Sequence, residues 1–259
     1  MRVYRSKSKN ILYFVYRVIY PIFDPIWFIT GIYGYFWFIK DIVNYQRQSK
    51  TLLMGKNLYP MLHDKVNFSP FNSHYYYMSL WVFDRIIKQK PTSHVDIGSS
   101  YEFSGYLSRL IKTTFIDLRP INVKVKNLAI KKGNILNLPY KDQSIKSLSC
   151  LHVAEHIGLG RYGDTVGPKG TEKACTELSR VLAPNGLLYF AVPIGKEKVC
   201  FNAHRIFPPK KIIKMFPKLK LIEFSLVNDN GIFLEKQNTN LFNNLNYGCG
   251  MFLFKKNYD

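Results

Sequence analysis

Beyond Pro91 the chain alternates between short apolar runs and longer amphipathic ones. Residues 94–98, 113–118, 125–130, 145–153 and 187–192 are rich in Val, Ile, Leu and Phe, and read as strands covered on both faces. Residues 103–111, 171–182 and 209–216 carry helical spacing between them, and Pro184-Asn185-Gly186 breaks the second of these before the fifth strand. Residues 219–227 and 250–254 add two more strands. Strands separated by helices predict an α/β fold with a mostly parallel sheet. Ahead of it, residues 75–89 read as a helix. Met78, Trp81, Val82, Ile86 and Ile87 form its apolar stripe, Arg85, Lys88 and Lys90 fall off it, and Pro91 stops it. Residues 40–75 read as an irregular connector rich in Asn, Pro, His and Ser. The pattern contains no internal repeat.

The first 60 residues differ in character: they are basic and aromatic-rich. Residues 2–9 carry much of the charge, and no small-residue cleavage site follows the apolar run behind them. That run, residues 11–38, is interrupted by Arg17, Pro21, Asp24 and Pro25. Its longest uncharged piece, 25–39, has 15 residues, short of the roughly 20 that cross a bilayer. Three readings stay open: an interfacial segment, a helical hairpin packed on protein, and a true span. Residues 61–90 then form a connector and leading helix, and residues 91–259 the main domain.

Charge sharpens the choice of partners. Lys and Arg number 37 against 17 acids, a net +20, which favours nucleic acid, an acidic membrane face or phosphorylated substrates. Hydrophobic residues make up 47% of the chain, enough for a core and too many for global disorder. The four cysteines lie far apart with no CxxC, so they read as reduced and mostly buried in a cytosolic setting. The expected location is cytoplasmic, peripheral on the inner face of the cell membrane where the extension touches lipid. Nothing in the sequence signals an oligomeric state.

The chemistry begins at Val95-Asp96-Ile97-Gly98-Ser99-Ser100. In a doubly wound sheet the first strand ends where ligands bind, and a glycine there lets backbone approach the ligand. Asp117 follows Asp96 by 21 residues, at the end of the second strand. An acid at that spacing commonly takes both ribose hydroxyls of a nucleotide-containing cofactor. Gly98 does not start a GxGxxG, because positions 100 and 103 are Ser and Phe. A pyrophosphate would lack its close backbone seat, which argues against hydride transfer from a dinucleotide.

On these residues, 91–259 resembles the class I S-adenosylmethionine-dependent methyltransferases. His74-Tyr75-Tyr76, the stretch from His94 to Ser99, Gly133-Asn134-Ile135-Leu136-Asn137-Leu138-Pro139 and the stretch from Leu151 to Asp164 resemble more closely a bacterial branch of that superfamily. That branch is a domain of unknown function associated with surface-polysaccharide biosynthesis. The resemblance implies a Rossmann-like fold: a seven-stranded, mostly parallel sheet, helices on both faces, one antiparallel strand near the end. It implies S-adenosylmethionine as cofactor. Asp96, Gly98, Ser99 and Ser100 would lie under its methionine part and Asp117 at its ribose. Asn134 and Ile135 would flank adenine, with His152 and Val153 near the methyl donor. Two departures stand out: Ser100 and Glu102 occupy positions where the family has glycine or small residues, and Asn134 replaces an acid.

After the fourth strand comes a polar cluster, His152, Glu155, His156, Arg161 and Asp164, and later His204 and Arg205. Strands four and five end on one face, so these groups are expected to converge over the donor methyl. His156 or His204 is the expected base for an acceptor hydroxyl, and Glu155 orients a histidine or holds substrate. Arg161, Asp164 and Arg205 are the expected substrate contacts, the arginines suiting an anionic group. Gly158, Gly160, Gly163, Gly167 and Gly170 make residues 157–170 either a mobile loop or a tightly turned one. No metal site is expected, since adjacent Glu155 and His156 would diverge on a helix. The favoured reading is methyl transfer to oxygen or nitrogen of a small-molecule or glycan-type acceptor. An RNA methyltransferase is a less favoured alternative, and a non-catalytic, membrane-associated interaction protein is another.

Overall fold

The computed structural model describes residues 11–257; the basic stretch 2–9 lies outside them. The chain falls into two compact units, Met1–Phe71 and Asn72–Asp259. In the first, α1 (Ile11–Ile19) is followed by α2 (Pro25–Ser49). The apparent interruptions are a helix start. Asp24 is the N-cap and accepts the N–H groups of Ile26 and Trp27, each at 3.0 Å, while Pro25 opens the first turn. The helix does not stop at Ile39 but runs on through Lys40 and Asp41, giving 25 residues. By length and composition it could cross a membrane. Gly31 and Gly34 are buried on one side of it. A Cβ on Gly34 would stand 2.7 Å from that of Leu62, so glycine lets the 61–65 segment lie on the helix. His63 stacks on Trp27 with ring centroids 4.3 Å apart, and Lys65 pairs with Asp41 at 3.2 Å. The outward side, with Ile32, Tyr33 and Phe36, is exposed.

The second unit opens with α3 (Ser73–Gln89), capped by Asn72. Met78, Trp81, Val82 and Ile86 are its buried apolar residues, so the leading helix goes with the sheet and the division falls at 71/72 instead of 90/91. Arg85 is a correction to the expected stripe: it too is buried. Its guanidinium pairs with Glu223 at 2.8 Å and with Glu235, and it bonds the Trp81 carbonyl.

The strands are β1 (Ser93–Ile97), β2 (Lys112–Asp117), β3 (Leu128–Lys132), β4 (Ile145–Leu151), β5 (Leu182–Ile194), β6 (Lys198–Cys200), β7 (His204–Ile206), β8 (Leu219–Val227), β9 (Phe233–Leu234) and β10 (Gly248–Lys256). The remaining helices are α4 (Tyr101–Leu107), α5 (Gly170–Val181) and α6 (Pro209–Met215). The main sheet has eight strands in the order β3-β2-β1-β4-β5-β10-β8-β9. The first five pair in parallel, and β10 runs antiparallel to both β5 and β8. This is the expected seven-stranded arrangement with one addition, the two-residue edge strand β9. The hairpin of β6 and β7 lies outside that sheet, in a segment too short and polar to read as strands.

Alternation along each strand feeds two cores. One joins Leu148, Phe190 and Phe252 to Ala174 and Leu178 of α5 and Ile212 of α6. The other joins Tyr189, Ala191 and Met251 to Trp81 of α3 and to Phe103 and Leu107 of α4. On this second face β1 presents polar side chains. His94 Nδ1 and Nε2 each lie 2.8 Å from a serine hydroxyl, Ser147 and Ser149, and Ser149 donates to Asp96. Since Ser149 gives its proton to the carboxylate, it accepts from His94 Nε2–H, and Ser147 donates to Nδ1. The chain of bonds is complete, which is what burial of such groups requires.

Candidate functional site

The carboxyl ends of β1, β2 and β4 border a cleft of about 420 Å³. Gly98 and Asp117 share it. Parallel pairing sets Ile97 beside Ile116, so both strands end together. Gly98 has φ +63, and a Cβ there would meet Val153 at 3.3 Å and Asp117 Oδ2 at 3.5 Å. Glycine therefore serves both the turn and the open space between the two strand ends. Asp117 Oδ1 accepts the Arg119 N–H at 2.7 Å. Across the cleft Asn134 accepts the Leu136 N–H at 2.9 Å, which forms a turn that presents Ile135 and Leu136 to the space.

Other sequence-predicted residues lie elsewhere. Asp96 is fully buried behind the turn, outside the cleft wall, and accepts from Ser99 at 2.6 Å, Ser104 at 2.9 Å and Ser149. Burial raises its pKa to about 6 against the lowering effect of these bonds. It shapes the turn from beneath. Ser99 lines the cleft, but its hydroxyl is tied to Asp96 and takes the Leu151 N–H. Ser100 is the N-cap of α4: its Oγ accepts from Phe103 N and pairs with Glu102. Neither Ser100 nor Glu102 lines the cleft, so the unusual pair belongs to a helix cap.

On the other side stand His152, His156, Tyr75 and Tyr162. His156 is held by an Nδ1–H bond to the Ala203 carbonyl at 2.5 Å, with Nε2 3.7 Å from Glu155 Oε1. Arg161 bonds the same carbonyl at 3.1 Å and is exposed, and both it and Arg119 lie over the Tyr162 ring. Glu155 is fully buried and pairs with His152 Nδ1 at 2.8 Å. Burial alone would favour the neutral acid, but His152 beside it keeps Glu155 below the usual carboxylate range. Burial likewise opposes charge on His152, yet the flanking Cys249 and Glu155 hold that imidazole well above its ordinary pKa.

Two expected substrate contacts and one expected base are reassigned by geometry. Arg205 is buried and its guanidinium is spent on carbonyls, Ile157 O at 2.6 Å and Gly167 O at 3.1 Å, so it braces the loop and is not available to substrate. Asp164 borders the cleft but accepts Gly158 N at 2.6 Å and Tyr162 N at 3.3 Å, which folds the loop. His204 is buried outside the cleft wall against the Tyr247 ring, and burial lowers its pKa to about 4. The loop itself is tightly turned: a Cβ on Gly158 would fall 2.2 Å from Gly167 O, and one on Gly170 2.1 Å from Ile157 O.

Five neighbours escaped sequence reasoning as site residues. Tyr75, Arg119 and Tyr162 border the cleft, and His74 and Cys249 lie beside His152. The motif His74-Tyr75-Tyr76 carried a trace of the first group; nothing near Cys249 in sequence marks it.

The strand order and the antiparallel β10 settle the architecture. The fold is that of the class I methyltransferases. A [4+2]-cyclase, SpnF, superposes with a TM-score of 0.51 at 11% identity, over 71% of this chain and 82% of that one. A chain in a complex described as that of the Haloferax volcanii Trm112 methyltransferase activator with "the putative methyltransferase" superposes with a TM-score of 0.50 at 14% identity, over 72% and 91%. These likenesses carry the fold alone, and a cyclase among them shows one fold serving more than one reaction. Residues 140–256 match DUF268, a family described as a Caenorhabditis protein of unknown function. A protein of Methanocaldococcus jannaschii, MJ0638, described as uncharacterized, is 27% identical over 145 residues, or 54% of this chain. The match spans 57% of that relative's length.

Proposed function

We propose that this chain transfers the methyl group of S-adenosylmethionine to a hydroxyl or amine on a small, glycan-type acceptor. The observation that carries the proposal is the Asp117 carboxylate and the Gly98 turn facing one open cleft. The residues suit the cofactor. A carboxylate offers the acceptors that two ribose hydroxyls need. Gly98 and Gly133 leave the strand ends bare, and Ile135, Leu136 and Leu118 give apolar walls for a planar base. The volume lies in the range of small-ligand clefts. When bound, the cofactor supplies a methyl group on a positively charged sulfur.

The chain's own residues would align and deprotonate the acceptor. His156, held through Nδ1–H, keeps Nε2 to take a proton, and the positive charge so formed would sit 3.7 Å from the Glu155 carboxylate. Tyr75 and Tyr162 border the cleft with Arg119, and Arg119 and Arg161, both over the Tyr162 ring, suit an anionic substituent. A surface-polysaccharide precursor has this chemistry. The apolar outer side of α2 and the net +20 support action at an acidic membrane face.

Titration calorimetry with S-adenosylmethionine and its demethylated product tests the core of the proposal. Asp117→Ala should weaken binding about 10- to 100-fold, since a hydrogen bond to a charged group contributes about 1.5–3 kcal/mol, and should leave the melting profile unchanged. No heat from folded wild-type chain, or equal affinity in the variant, would overturn it.

A further inference from the structure

His74 in the first turn of α3, His152 just past β4 and Cys249 at the start of β10 each offer one donor atom within 4.8 Å of the other two, and all three are buried. We propose that these residues bind a zinc ion. Two imidazoles and a thiolate select a borderline-soft cation and reject magnesium or calcium, which take oxygen ligands. The orientation of His152 fits this use. Glu155 takes its Nδ1–H, and Nε2 lies 3.2 Å from Cys249 Sγ, so that loss of the Nε2 and thiol protons to a bound cation would turn both donors toward it. A carboxylate that fixes a histidine tautomer from behind is the usual outer support of a zinc ligand. Donor atoms on tetrahedral zinc stand roughly 3.3–3.6 Å apart, given bond lengths of about 2.0–2.3 Å; the His152–Cys249 pair is already near that spacing, and donors as far as 4.8 Å apart would close by about 1 Å.

Two further observations accord with a bound cation. His74 Nδ1 is buried with no hydrogen-bond partner among the described residues, in a side chain only 7% exposed. His152 keeps φ +56, a left-handed conformation that strains a side-chain-bearing residue. A divalent ion, one thiolate and the buried Glu155 carboxylate sum to zero charge, which burial favours. An imidazolium–carboxylate pair alone would also neutralise Glu155, but would leave His74 Nδ1 unsatisfied. Of the three, His152 also lines the cleft. The assignment stands on the donor geometry and not on methyl transfer.

The test uses the untagged full-length chain, loaded with zinc or cobalt(II) alone and dialysed against metal-free buffer. We expect one zinc per chain by mass spectrometry and a thiolate-to-cobalt charge-transfer band in the near ultraviolet. Cys249→Ser should abolish the band, and Glu155→Gln should lower zinc affinity about 10- to 100-fold. Should Cys249→Ser fail to fold, His74→Gln, altered in the first helical turn, carries the same expectation of lost metal. Folded wild-type chain that retains neither metal, bound cobalt without the thiolate band, or full zinc retention in a folded Cys249→Ser or His74→Gln variant would each overturn the proposal.

Discussion

At the scale of single residues, position in the sequence located chemistry better than it assigned roles. Asp117 and Gly98 are where strand ends put them, because a parallel pair in register must finish together. Asp96, Ser100 and Arg205 carry the same polar groups as true ligand contacts, yet serine hydroxyls, a helix cap and loop carbonyls consume them. His94 offers a test of the buried network. Desolvation lowers its pKa from 6.5 to about 3. The native ring therefore stays neutral while the unfolded ring protonates below 6.5. Its stabilising contribution is whole above that value and is lost as pH falls from 6.5 toward 3. Across that window the stability of wild type should fall relative to His94→Gln by about 1.4 kcal/mol per pH unit. Denaturant melts at several pH values measure this; parallel slopes for the two proteins would mean that the native ring is charged.

At the scale of elements, periodicity identified helices and strands but not every partner. The stripe on α3 omits Arg85, since a charged residue at a buried helical position reads as solvent-facing until a counter-charge is known. Glu223 of β8 supplies it, 138 residues away, and also takes the Trp81 indole N–H at 2.9 Å. Both arginine and glutamate side chains are largely shielded, at 10% and 14% exposure. Removing one partner leaves the other charge poorly solvated, so Arg85→Ala should cost about 3–5 kcal/mol, read as a lower urea midpoint. The double variant Arg85→Met/Glu223→Leu should recover much of that loss. A single variant as stable as wild type would show that solvent already screens the pair.

At the scale of the whole molecule, net charge and the exposed side of α2 make a prediction about partners. A net +20 and an exposed apolar helix side predict partition onto vesicles containing acidic lipid, weaker with neutral lipid and at high salt. Flotation assays should show binding reduced by Ile32→Ser/Phe36→Ser, two exposed positions on α2. Binding indifferent to lipid charge and to these substitutions would remove the membrane role. If the charge instead serves RNA, association with RNA should fall steeply with salt, and acceptor screens with labelled cofactor should favour RNA over glycans.

Local pattern alone determined the order of helices and strands from residue 75 onward apart from β6, β7 and β9, the stop at Pro91, and the cleft-facing ends of the first two strands. These follow from short-range sterics and from the alternation of apolar positions. Pro184-Asn185-Gly186 does not separate α5 from β5 but lies within β5, where the pairing with β4 shifts register. Pairing order, the antiparallel insertion of β10 between β5 and β8, and the meeting of His74, His152 and Cys249 belong to the tertiary structure. Those depend on which distant surfaces pack together, and a cysteine 97 residues from its histidine leaves no mark on the sequence around either one.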